Sequence, residues 1–164
     1  MPEKNKLSLS VQYPDPRLRA ELGRPLLRRW VQAALLGPAE LTLRFVDAAE
    51  GQTLNRDYRG KDYATNVLTF AYSEDEVDGV DEVDVAANSD ICRADIVLCT
   101  DILQQEAHSQ NKSLLAHSAH LIVHGVLHAQ GFDHENDAQA EEMEQEEIRI
   151  LARLGFANPY LEAD

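Results

Sequence analysis

At 164 residues, with 44% hydrophobic and 6% aromatic side chains, the chain has the size and composition of one globular domain, expected to span 1–164. No run of about eighteen apolar residues could cross a membrane, and the first fifteen residues lack the apolar stretch of a secretory signal, so the expected location is the cytoplasm. The net charge of −14 excludes nonspecific nucleic-acid binding by the whole surface. Residues 1–61, however, hold eleven Lys/Arg against seven Asp/Glu, and residues 62–164 four against twenty-two, which is compatible with a local basic patch on an acidic body.

In chain order, the alternation in "LSLSVQY" (7–13) predicts a first strand, broken by "YPDP". Residues 17–37 have helical spacing at Leu26, Leu27, Trp30, Val31, Ala34 and Leu35, with Pro25 suited to a first turn and Gly37-Pro38 as the stop. "ELTLRFVD" (40–47) predicts a second strand. Residues 48–60 predict a short helix or turn closed by Gly60, and "TNVLTFAY" (65–72) a third strand.

The acidic run 73–90 is expected to be a solvated loop; calcium binding there lacks the twelve-residue ligand pattern. "RADIVLCT" (93–100) predicts a fourth strand. Cys92 and Cys99, an odd seven apart, then face opposite sides and serve as small buried hydrophobes. Helices are expected at about 101–110, 113–130 and 137–155. The implied fold is α+β, a single domain of mixed α/β layers with a mixed sheet of about four strands.

Four of the six histidines lie in "HLIVHGVLHAQGFDHE" (120–135). On a helix turning about 100° per residue, His117, His120, His124 and His128 share one face. Leu115, Ala119, Ile122, Val126 and Ala129 fall opposite, as the stripe expected to pack on the sheet. His124 and His128, four apart, can chelate one ion. Gly131 can end the helix in a left-handed conformation and return His134 toward the pair. Three imidazole ligands with an open fourth position is the catalytic arrangement of zinc, so His124, His128 and His134 are the expected metal ligands, with His117 and His120 as supporting or rim residues.

The spacing is also that of proteases carrying H-E-x-x-H-x-x-G-x-x-H, with Gly125 in place of the general-base Glu. That replacement argues against ordinary peptide hydrolysis. It also suggests room beside the metal for a bulky substrate.

"HGVLHAQGFDH" (124–134) resembles the signature of the YbeY family, bacterial endoribonucleases that mature ribosomal RNA. "LNRDYRGKDYATNVLTF" (54–70), "ADIVLC" (94–99) and "EEMEQEE…LGFANPY" (141–160) resemble further segments of it. The resemblance implies one zinc ion on His124, His128 and His134 and a functional arginine at Arg59. The implied substrate is single-stranded RNA, cut in 16S rRNA 3′-end maturation and ribosome quality control, with the small ribosomal subunit and assembly factors as partners and with neither DNA nor membrane.

Arg59 can donate a planar pair of hydrogen bonds to a phosphate. Arg56 and Lys61 add positive field, and Arg17, Arg19, Arg24, Arg28 and Arg29 are candidates for an extended RNA track. Asp133, His120 and a second water are all candidates for the general base. Two other readings keep the histidines: a zinc hydrolase acting on a peptide or small molecule, and a non-catalytic ribosome-assembly factor with structural zinc.

Overall fold

The computed structural model describes residues 6–61, 65–72, 91–132 and 136–160, the side chain of Arg59 excepted. Strands β1 (Leu7–Gln12), β2 (Ala39–Val46), β3 (Val67–Ala71) and β4 (Cys92–Cys99) form one sheet in the order β1-β2-β4-β3. β1, β2 and β4 run parallel, and β3 pairs antiparallel with β4 at the edge. Helices are α1 (Arg24–Ala34), α2 (Ala48–Arg59), α3 (Thr100–Ser109), α4 (Leu114–Ala129) and α5 (Asp137–Arg153). This is the expected α+β domain with a four-stranded mixed sheet. The acidic run 73–90 lies outside the described residues.

Alternation along β2 divides the two faces of the sheet. Leu41, Leu43 and Phe45 join the main core with Leu27, Trp30 and Val31 of α1, Ile122 and Val126 of α4, and Met143 and Ile150 of α5. Val46 points the other way, into a small cluster with Leu68 and Val97 that Leu54 of α2 and Phe70 help cover. β4, flanked on both edges, is almost wholly buried in its C-terminal half. Both cysteines are free, at opposite ends of β4, and burial pushes their thiols up.

α1 begins at Arg24, as the expected place of Pro25 in a first turn implies. Pro25 falls in its first turn, where its missing N–H is harmless. In a helix running on from residue 17 its ring would collide with the carbonyl of Glu21. Pro16–Leu18 instead form a single 3-10 turn capped by the Asp15 carboxylate. Residues 48–60 make a full helix, capped by Asp47 and ended by Gly60 at φ 72°.

α4 is the centre of the molecule. It lies on β3 and β4, with α1, α3 and α5 around it. The one-sided apolar stripe expected for it therefore needs correction. Leu121, Val123 and Leu127 are as buried as Ile122 and Val126, whereas Leu115 at the exposed N-terminal end is 42% accessible. A helix apolar on most sides is an interior helix.

Gly125 is corrected too. A Cβ there would sit 3.1 Å from Cγ2 of Ile96 and 3.4 Å from Oγ1 of Thr69. The glycine lets α4 approach the sheet closely and opens no space beside the histidines.

Candidate metal centre

α4 is set at both ends. At its start the Ser113 hydroxyl accepts from Ala116 N–H at 3.0 Å. At its end Gly131 takes φ 108°, with its N–H on His128 O and that of Phe132 on Leu127 O, both at 3.1 Å. This six-to-one and five-to-two pair is the Schellman closure. It folds the carbonyl of Phe132 back over the last turn, where it accepts from Nδ1 of His128 at 2.9 Å. A carbonyl only accepts, so His128 carries its proton on Nδ1 and keeps its lone pair on Nε2.

His124 reaches the same state by another route. Its Nδ1 lies 3.1 Å from Oε2 of Glu147, a carboxylate of α5 that is 1% exposed. Oε1 of Glu147 also accepts from Nε2 of His120 at 2.7 Å and from the Tyr160 hydroxyl. Burial works to raise the Glu147 pKa, but hydrogen bonds from His120, His124 and Tyr160 outweigh it and hold it at about 2. As an acceptor it leaves the Nε2 lone pair of His124 for a ligand. The same network pushes the Tyr160 hydroxyl pKa well up, through burial and then the bond to Glu147, so Tyr160 acts as a donor.

The two rings lie nearly parallel, 13° apart with centroids at 6.5 Å. Imidazoles engaged through Nδ1 by an outer acceptor, so that Nε2 is the ligating atom, are the donor set a zinc ion takes. The chemistry of these residues fits a metal. Among the described residues no group of three His, Cys, Asp or Glu is gathered for one, while His134 and Asp133 lie outside them, as does the side chain of Arg59. The backbone of Arg59 closes α2.

The other predicted residues separate clearly. His117 is buried, with Nε2 2.9 Å from Oε1 of Glu106; it joins α4 to α3 and is not at the rim. His120, a candidate base, has its Nε2 engaged by Glu147. Arg56 pairs with Asp57 on the surface. The arginines of 17–29 form no single track. Arg17 bonds Asp15 and Asp101, Arg19 and Arg24 flank the Tyr13 ring, and Arg28 donates to Leu7 O at 2.9 Å.

Sequence reasoning missed Glu147 and Tyr160. The signal for Glu147 was its place in the stripe Met143, Glu147, Ile150, Leu151, a carboxylate at a core position of an amphipathic helix. A buried carboxylate requires partners, and the nearest donors are the imidazoles of α4.

Fold and site together define an α+β domain whose central helix presents oriented imidazoles. Residues 17–155 match the family described as Endoribonuclease YbeY. The chain is 66% identical over 161 residues to the Endoribonuclease YbeY of Herminiimonas arsenicoxydans, covering 98% of this chain and 99% of that one, and equally so to that of Janthinobacterium sp. (strain Marseille). The solution structure of TM1509 from Thermotoga maritima shares the fold, with a TM-score of 0.51 at 21% identity over 93% of this chain and 99% of that one. The chain belongs to the YbeY family of endoribonucleases, and is thus a nuclease of the hydrolase class acting on RNA.

Proposed function

We propose that this endoribonuclease is zinc-dependent and cuts single-stranded RNA in the maturation of the 16S rRNA 3′ end and in ribosome quality control, in the cytoplasm, in association with the small ribosomal subunit. The observation that carries the metal half of this reading is the paired orientation of His124 and His128, whose Nδ1 atoms are engaged by Glu147 and by Phe132 O. His134, after the Gly131 turn, would be the third ligand. Zinc bound there supplies Lewis acidity and lowers the pKa of a bound nucleophile to about 7.

The chain's own residues do the rest. Glu147 fixes the His124 tautomer while His120 and Tyr160 hold Glu147 in place. The guanidinium of Arg59 would bind two phosphate oxygens and stabilise the charge that grows on them in the pentacoordinate transition state. Attack by water or by the RNA 2′-hydroxyl uses the same groups; the second leaves a cyclic phosphate. The test is cleavage of single-stranded RNA by protein of known metal content. Activity proportional to bound zinc is expected, and equal activity in metal-stripped protein would overturn the zinc assignment.

A further inference from the structure

A groove of about 1060 Å³, with no histidine in its lining, lies between α1, the starts of β1 and β2, and the end of α5. Its walls carry Lys6, Arg28, Arg29 and Arg153, all exposed. Glu40, the one carboxylate lining it, is held by Arg93 at 3.0 Å. No carboxylate among the described residues pairs with Lys6, Arg29 or Arg153. In a chain of net charge −14, four cations around one cleft with, among the described residues, a single, already neutralised acid make a local field of the opposite sign.

The groove also leads somewhere. Pro38 and Ile91 line both it and a neighbouring cleft of about 380 Å³, whose far wall is Ala129 and Gln130 at the end of α4. His128 stands on the same last turn of α4, about 100° round the helix from Ala129. α5, which brings Glu147 to the histidines, also carries the exposed Glu141, Glu142 and Glu144, which repel a polyanion.

We propose that this groove is a second RNA-binding surface, which holds the phosphate backbone of the substrate strand at a distance from the site of cleavage and feeds it past Pro38 and Ile91 toward the C-terminal end of α4. The inference rests on RNA being the substrate. It separates capture from chemistry: the groove supplies sequence-independent affinity, and the histidine end supplies the cut. A strand too short to reach from one to the other gains nothing from the groove.

The experiment compares wild type with the triple variant Lys6→Ala, Arg29→Ala, Arg153→Ala. Arg28 is kept because its bond to Leu7 O supports β1. The probes are unstructured RNAs of about 20 and about 4 nucleotides, the longer exceeding the ~4–16 nucleotides that one small binding fold covers. For the longer RNA the variant should bind at least tenfold more weakly, with KM raised to match and kcat unchanged. Its log–log salt slope should fall by about two, at roughly 0.7 per lost phosphate contact on a single strand. Cleavage of the short RNA should be unchanged.

Binding is measured with and without zinc, so the two readings fail separately. Absent or zinc-independent cleavage would count against the metal site, while the difference in binding between wild type and variant would still decide the groove. Wild-type affinity and slope in the variant, with its melting curve intact, would overturn the proposal. So would loss of binding to polyglutamate without loss for RNA, which would assign the groove to an acidic protein.

Discussion

The two ends of α4 present histidines on one face of one helix, and they are put to different uses. At the N-terminal end His117 is buried and spans to Glu106 on α3. At the C-terminal end His124 and His128 stay partly open, each held through Nδ1 by an acceptor that leaves Nε2 for a ligand. Helical phase alone treats all of them alike. The difference comes from what packs over each turn: α3 closes the first end, while α5 brings one carboxylate and the Gly131 turn brings one carbonyl to the second. On the proposed reading, a ligand histidine is specified less by its own position than by the acceptor behind it.

The sharpest way to break this contrast is at Gly125, between the two histidine sets. Gly125→Glu would restore the protease-like pattern but drive a carboxylate into Ile96, which is fully buried, and Thr69. Overpacking costs about 1–3 kcal/mol, and an unpaired buried charge costs several more. The expected result is insoluble or unfolded protein by circular dichroism. A folded variant would mean that the glycine is not there for close helix–sheet contact.

Arg59→Ala comes next. Loss of one electrostatic donor at a transition state costs about 10²–10³ in rate, so RNA cleavage should fall by that much. Bound zinc should be unchanged, and stability should move by less than about 1 kcal/mol, the value of a cation at a helix C-terminus. Wild-type cleavage by the variant would remove the phosphate-binding role.

Glu147→Gln keeps the shape and removes the charge that orients His124. Loss of such an outer partner weakens metal binding by about 10–100-fold, which competition with a chromogenic chelator would read. Unchanged zinc affinity would reduce Glu147 to a packing residue. The smallest effect on metal belongs to His117→Asn. It should lower stability, and with it the melting temperature, through the lost Glu106 contact, by about 1 kcal/mol, since the partly exposed Glu106 keeps Asn66 as a donor, with zinc affinity as in wild type.

Much of this was legible in the chain and some was not, for physical reasons. The strands were readable because β2 buries Leu41, Leu43 and Phe45 in strict alternation. The C-terminal end of α4 was readable from Gly131, whose chemistry is local. The start of α1 was readable from Pro25, whose ring suits a first turn and would clash with the carbonyl of residue 21 in a helix begun earlier. The interior position of α4 was missed because a helical wheel shows phase and not neighbours; it could not foresee that α5 would cover the histidine side and deliver Glu147. The groove was half hidden for the same reason: Arg28 and Arg29 were named as candidates, but Lys6 and Arg153, far from them in sequence, join them only when α1 and the end of α5 converge on β1.

The central claim is that His124 and His128, oriented from behind, hold the metal together with His134. Elemental analysis of purified His124→Ala/His128→Ala protein, alongside wild type, tests it most directly. Wild type should carry one zinc per chain and the double variant almost none, since a single remaining imidazole cannot retain the ion. Stoichiometric zinc in the folded double variant would contradict the account.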